Sequence, residues 1–364
     1  MDQEIYRKFI SGDNCGLPPT AASLTRAALK AAAWVYGRAV SARNCLYSRR
    51  LLKIFRSPAP VISIGNITAG GTGKTPMVIW ICNKITSKHL TCAVLTRGYK
   101  SGSCGGDEPA LISKNCGEVN VVVNPDRIAG ARKAVETLEA DVLVMDDGFQ
   151  HRRLHRDLDI ITIDATAPFG CGALLPAGLL REPLSQISRA DAAVITRTDQ
   201  ASAADIELIR QQLTAVSPDM PVVTAVHSPV QVNILKKEPV KLNELAGKRV
   251  FLFCGIGNPE AFFRTMRNLG CIITGTMIFN DHCRYTKDDI AGIYEKAAEA
   301  DTLKSDRTEL IVTTHKDWTK SCLMQPMGTD IPLGYLDIKM EITGGEEILN
   351  DLIEEAVKDR IKAK

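Results

Sequence analysis

Residues 60–76, Pro60-Val-Ile-Ser-Ile-Gly-Asn-Ile-Thr-Ala-Gly-Gly-Thr-Gly-Lys-Thr-Pro76, constrain the fold more than any other stretch. Val61 to Ile64 is a mostly apolar, β-branched run that predicts a buried strand. Gly65, Gly70, Gly71 and Gly73 then permit a tight turn whose backbone N–H groups converge on an anion. A helix starting near Lys74 adds the positive end of its dipole. Lys74 reaches terminal phosphates from there, and the Thr75 hydroxyl is placed to ligate Mg²⁺. Where the common pattern has Gly five positions before Gly73, this chain has Thr68. A Gly-rich strand–helix turn without ligand is the bland alternative, but turn chemistry alone does not call for consecutive Gly-Lys-Thr after a strand. The candidate triphosphate contacts are therefore Thr68, Gly70, Gly71, Thr72, Gly73, Lys74 and Thr75.

A chain of 364 residues exceeds one average core, so two domains are expected. Hydrophobic content of 45% with 24% charged residues is that of an ordinary globular protein. A formal charge of +3 gives no global reason to expect nucleic acid. The opening Met1-Asp-Gln-Glu4 is acidic with no apolar run behind it, so no secretory leader is expected. No run approaches the ~20 apolar residues of a spanning helix. The eleven cysteines are odd in number and form no Cys-x-x-Cys pair, which suits a reducing cytoplasm without disulfide frame or zinc site.

Charge is nevertheless uneven. Arg26, Lys30, Arg38, Arg43, Arg49, Arg50, Lys53 and Arg56 lie in one stretch without a single acidic residue, interleaved with Leu24, Trp34, Val35, Tyr36, Leu46 and Leu51. This Ala-rich segment predicts a helix. Such a helix either packs with its basic groups in solvent or lies on an anionic lipid surface.

After Pro60, strand-like runs at 61–64, 92–96, 119–123, 141–145, 158–164 and 192–196 alternate with helical patterns at 75–86, 126–139 and 202–214. This predicts a P-loop NTPase-type α/β fold, a mostly parallel sheet with helices on both faces. Two Pro-punctuated β-like runs, 221–226 and 230–235, precede a second series. Its strands fall near 249–254, 271–278, 309–314 and 334–340, and its helices near 259–268, 286–299 and 345–358. A boundary within 228–240 would give a kinase-type domain at 1–228 and a smaller α/β domain at 229–364.

Ligands of such sheets gather at the carboxyl ends of the strands. Strand 141–145 ends in Asp146-Asp147-Gly-Phe-Gln150-His151-Arg-Arg153, where a carboxylate beside a phosphate loop would hold Mg²⁺ or its waters. Gln150, His151 and the arginines offer donors to phosphate or sugar. After strand 92–96 come Arg97-Gly-Tyr99 and Gly105-Gly-Asp107-Glu108-Pro109, adjacent acids able to supply a base and a metal partner, or simply a helix cap. Arg181-Glu182 stand in the loop Leu174–Pro183, where a placed arginine would stabilise charge on a transferring phosphoryl group. Asn280-Asp281-His282 follows a strand of the second series. Guanine-reading strand ends are lacking: Thr196-Arg-Thr-Asp199 has Arg in place of Lys, and Thr314-His-Lys-Asp317 has its Lys one place late.

In this order, Gly65-Asn66, Gly70-Gly-Thr-Gly-Lys-Thr-Pro76, Arg97-Gly-Tyr99, Gly106-Asp-Glu-Pro109, Asp146-Asp-Gly-Phe-Gln-His151, Leu179-Leu-Arg-Glu-Pro183 and Asp281-His282 resemble the tetraacyldisaccharide 4'-kinase family of lipid A synthesis. The resemblance extends to Thr68. It implies ATP and Mg²⁺ as cofactors and phosphorylation of the 4'-hydroxyl of a tetraacylated glucosamine disaccharide 1-phosphate. Under it Asp107 is the base, His282 from the second domain assists, and Lys74 and Arg181 complete the catalytic set. The implied metal region is Thr75, Asp146, Asp147, Glu182 and Glu108, and the substrate contacts are Gln150, His151 and Asn66. The basic helix then meets an anionic inner-membrane surface, making the protein peripheral at its cytoplasmic face, with no nucleic acid and no required protein partner. The competing expectation is a P-loop ATPase or switch acting through a protein partner; a third, remoter class is a soluble small-molecule kinase.

Overall fold

The computed structural model describes residues 3–98, 107–117, 119–235, 237–281, 283–299, 307–324 and 330–363. They form two compact units: Met1–Tyr99, Ile112–Val226 and Met340–Lys364 make the first, Lys100–Leu111 and His227–Lys339 the second. The change at 226/227 falls beside the expected boundary, but the expected division at 228 is not a simple cut. Residues 340–364 belong to the first unit, because Leu349, Ile353 and Val357 of the last helix complete the cluster containing Ile81, Ile85 and Leu90. The described residues 107–111 belong to the second.

The chain opens with helices α1 (Gln3–Ile10) and α2 (Pro19–Ser48), followed by β1 (Val61–Gly65), α3 (Lys74–Thr86), β2 (Cys92–Thr96) and α4 (Asp107–Asn115). Then come β3 (Asn120–Val123), α5 (Arg127–Glu136), β4 (Val142–Asp146), β5 (Leu158–Asp164), β6 (Ala192–Thr196), α6 (Ala203–Val216) and β7 (Val222–Ile234). In the first unit the strand order is β7-β6-β5-β1-β4-β2-β3, and all these pairs are parallel. Alternate residues face opposite sides, as the pleat requires. Ile62, Val142 and Val144 join Met77 and Ile81 of α3 on one face, whereas Val61, Leu143 and Met145 meet Ala131 and Ala134 of α5 on the other. The largely apolar runs in β1 and β4 are thus explained by burial on both faces. β1 lies between β4 and β5, so its carboxyl end opens onto the crevice where such sheets bind ligands.

The second unit continues with β8 (Val240–Lys241), β9 (Arg249–Cys254), α7 (Pro259–Asn268), β10 (Ile272–Ile278), α8 (Lys287–Glu299), β11 (Leu310–Thr314), α9 (His315–Ser321) and β12 (Leu333–Gly344); α10 (Glu346–Ala363) follows in the first. The second unit's strands run β10-β9-β11-β12-β7, with β8 antiparallel to β7. Phe262, Phe263 and Met266 of α7 and Ile290, Ile293 and Tyr294 of α8 supply its core. The two β-like runs expected at 221–226 and 230–235 are one strand, β7. Pro229 falls between the two pairings, since Val222–Thr224 pair with β6 and Gln231–Val232 with β8.

Helix α2 spans 30 residues and has Pro at its first positions. Its small face, Ala33, Gly37, Val40 and Asn44, is buried, while Leu24, Trp34 and Val35 remain 72%, 67% and 62% exposed. Among the described residues no helix is long and apolar enough to cross a membrane.

Candidate active site

The loop between β1 and α3 is built by local backbone demands. Gly73 caps α3 in a left-handed conformation (φ 86°), which costs an L-residue with a Cβ dearly. A Cβ on Gly65 would sit 2.4 Å from Cβ of Phe149, so only glycine lets the end of β1 approach the loop after β4. Thr68 stands where a glycine is common because its backbone bridges to Leu180 in antiparallel, extended fashion, a conformation that needs no glycine. Ala69 N–H donates to the Leu179 carbonyl (2.7 Å) and Arg181 N–H to that of Ile67 (2.8 Å), lashing the loop to segment 179–181.

Behind the loop, the Thr72 and Thr162 hydroxyls share a hydrogen bond of 2.7 Å, and Thr196 Oγ1 donates to the Thr72 carbonyl at 3.0 Å. Arg197 Nη1 donates to the Gly71 carbonyl at 3.0 Å and pairs with Asp164 Oδ2 at 2.5 Å. Sequence reasoning missed this Arg197–Asp164 brace. Its signal is an acid and an arginine at the carboxyl ends of neighbouring strands, of which only Arg197 falls in a stretch considered above, as an unfulfilled guanine motif. Arg7 was missed too: α1 is tied down by Tyr6 Oη donating to the Pro176 carbonyl (2.7 Å). Arg7 Nη2 lies 3.4 Å from where a Cβ on Gly70 would sit.

In front of the loop, Asp147 draws the expected cations together. It occupies the left-handed region (φ 51°), which aspartate tolerates better than most side chains. Arg181 Nη1 donates to both its carboxylate oxygens at 2.9 Å, and Lys74 Nζ lies 3.4 Å from Oδ1. Burial pushes the Asp147 carboxyl upward, but Lys74 and Arg181 outweigh it and hold it well below the usual carboxylate range. Gln150 completes the cluster, accepting from Arg181 Nη1 (3.3 Å) and donating through Nε2 to the Asn66 carbonyl (2.8 Å). Asp146 is 2% exposed, and its backbone carbonyl accepts from the buried Arg127 Nη2 at 2.9 Å. His151 is half-buried; desolvation, then Arg127, Arg97, Arg153 and Arg156, lower its pKa to about 4, so the imidazole is neutral near pH 7.

Two expectations are corrected. Glu182 does not present a metal-binding carboxylate. It is fully buried, with Oε1 taken by Arg43 Nη2 (2.6 Å) and Asn44 Nδ2 (3.2 Å) and Oε2 by Arg189 Nη2 (2.5 Å). Its surroundings make it the anchor of α2. Asn66 is likewise fully buried, with Nδ2 directed at the Gly70 carbonyl (3.4 Å), and braces the loop from within instead of facing substrate. Asp107 and Glu108 open α4 in the second unit, but their side chains lie outside the described residues, as does His282.

Thr75, half-buried in the first turn of α3, and Asp146 at the tip of β4 form a donor set that fits Mg²⁺. Among the described residues no three His, Cys, Asp or Glu side chains cluster to hold a metal by themselves. Mg²⁺ beside a phosphate loop takes most of its ligands from phosphate oxygens and water.

A family model described as LpxK, tetraacyldisaccharide-1-P 4'-kinase, matches residues 25–358. The chain belongs to the tetraacyldisaccharide 4'-kinase family. A tetraacyldisaccharide 4'-kinase of Syntrophus aciditrophicus (strain SB) is 37% identical over 349 residues, covering 89% of this chain and 91% of that protein. One from Bdellovibrio bacteriovorus is 31% identical over 350 residues, 92% of this chain and 100% of the relative. The crystal structure of LpxK from Aquifex aeolicus in complex with ATP matches with a TM-score of 0.67 at 30% identity, covering 92% of this chain and 99% of that one. The family's α/β fold and sugar-kinase class agree with the parallel sheet and the phosphate loop described above.

Proposed function

We propose that this chain transfers the γ-phosphoryl group of ATP to the 4'-hydroxyl of a tetraacylated glucosamine disaccharide 1-phosphate. The observation that carries the reading is the convergence of Lys74, Asp147, Arg181 and Gln150 in front of the phosphate loop. Phosphoryl transfer asks mainly for positioning and for neutralisation of charge on the equatorial oxygens. Lys74 and Arg181 supply that charge, and Asp147 holds both side chains in place. Thr75 and Asp146 would hold Mg²⁺, which when bound neutralises phosphate charge. A sugar hydroxyl is a poor nucleophile, so its proton must leave as the O–P bond forms; Asp107 is the acceptor in this reading, with His282 assisting. Neutral His151 and Gln150 offer hydrogen bonds to the sugar.

The acyl chains stay in the bilayer, and α2 meets the anionic inner-membrane surface at its cytoplasmic face through Leu24, Trp34, Val35 and its basic residues. Replacing both Trp34 and Val35 by Glu should abolish sedimentation with anionic liposomes; deleting the helix is a poorer test, because it strips Glu182 of Arg43 and Asn44. The decisive assay is phosphate transfer from radiolabelled ATP to the disaccharide monophosphate in detergent micelles. Lys74→Ala and Asp107→Ala should each remove nearly all turnover with the fold intact. ATP hydrolysis indifferent to glycolipid and stimulated by a protein would overturn the reading.

A further inference from the structure

Arg181 is held on every side. Its N–H donates to Ile67, and its guanidinium spans Asp147 and Gln150. Its carbonyl accepts from Tyr36 Oη at 2.8 Å, a bond that reaches across from helix α2. The next residue, Glu182, is gripped by Arg43 and Asn44 of the same helix, and Asn44 Nδ2 also donates to Gln186 Oε1 at 3.0 Å. Arg152 Nη1 donates back to the Asn44 carbonyl at 2.8 Å. The helix runs close here: a Cβ on Gly37 would lie 2.7 Å from Leu174 Cδ1. Helix α2 and the loop bearing Arg181 are therefore joined by hydrogen bonds at several points.

We propose that Tyr36 is a positioning residue for phosphoryl transfer: its hydroxyl fixes the Arg181 peptide, and so aims the guanidinium at the reacting phosphate. The inference rests on the reading of Arg181 as the charge-bearing group. It separates Tyr36 from Arg43 and Asn44, whose bonds hold the buried Glu182 and through it the stability of the segment. Tyr36 holds the backbone carbonyl of the preceding residue, Arg181 itself. Trp34 and Val35, the two residues before Tyr36 in the helix, are exposed, so a surface met by them lies one or two residues from the group that orients Arg181.

The test is a kinetic double-mutant cycle of the full chain with Tyr36→Phe, Arg181→Lys and the pair, assayed in glycolipid micelles. Losing one neutral hydrogen bond should lower kcat about three- to tenfold. KM for ATP should stay within about twofold, since the loop–helix cradle is untouched. In the Arg181→Lys background, Tyr36→Phe should cost nothing further, because its effect passes through the arginine. The thermal midpoint of Tyr36→Phe should fall only by the little that one hydrogen bond contributes, well short of the loss in Glu182→Gln. Full kcat in Tyr36→Phe, or losses that multiply in the double variant, overturn the positioning role alone. Full turnover in Arg181→Lys overturns the reading of the arginine itself, and with it the proposal.

Discussion

Glu182→Gln separates two roles for one carboxylate. The side chain is fully buried and contacts two guanidinium groups of unequal weight. Arg43 is 42% exposed, so its pair is screened by solvent and contributes little. Arg189 is 15% exposed and sits over the face of Phe149 at 4.4 Å, with no easy route to water. Breaking a buried pair by removing one partner costs about 3–5 kcal/mol. Glutamine keeps one acceptor oxygen, so about 3 kcal/mol is the expected loss. With a urea slope of about 3 kcal/mol/M for a unit of this size, the unfolding midpoint should fall by about 1 M. The measurement is made without nucleotide or Mg²⁺, where a metal ligand would contribute no stability. An unmoved midpoint together with a raised Mg²⁺ requirement for turnover would refute the anchor role and restore Glu182 to the metal set.

Gly73→Ala places a Cβ at φ 86° and should cost about 1–2 kcal/mol together with most ATP affinity, read by thermal shift with and without nucleotide. Deleting α10 after Gly345 strips Leu349, Ile353 and Val357, all fully buried, from the first unit. At about 1.5–3 kcal/mol each the loss, about 4.5–9 kcal/mol, is of the order of a typical domain's whole stability of about 5–15 kcal/mol, and the expected outcome is insoluble or molten protein by circular dichroism. For pH, His151 titrates at about 4 when folded against about 6.5 unfolded, so the unfolded chain binds the extra proton between those values. Stability is therefore full above about pH 6.5 and lost as pH falls towards 4; His151→Gln should flatten that acid limb. Asp159 runs the other way: burial raises it to about 6 despite Arg156, so it favours folding as pH drops, and Asp159→Asn should steepen the acid loss.

Much of the architecture was legible because apolar period and turn chemistry agreed locally. The strand at 158–164, the strand at 192–196 and the helix at 259–268 run over the anticipated residues. The phosphate loop was legible because a left-handed helix cap and a close strand approach leave few options besides glycine. The roles of Glu182 and Asn66 were not, since an acid beside an arginine reads alike whether it faces a metal or a buried guanidinium. Only the fold reveals that Arg43 and Arg189, far apart in sequence, converge on that carboxylate. The bracing pair Arg197–Asp164 was hidden for the same reason: each half sits at its own strand end, and adjacency of β5 and β6 is a property of topology.

Strands β7 and β12 carry the chain out of the first unit and back, and their outgoing and returning ends in that unit touch, Thr343 Oγ1 donating to Thr224 Oγ1 at 3.1 Å. Residues 227–339 are thus an insertion whose two roots are neighbours. A nucleotide-binding module is not to be had by trimming from the C-terminus, which removes its own closing helix. It is to be had by internal excision, splicing a short turn between the two roots and shortening the segment before Ile112 that belongs to the second unit.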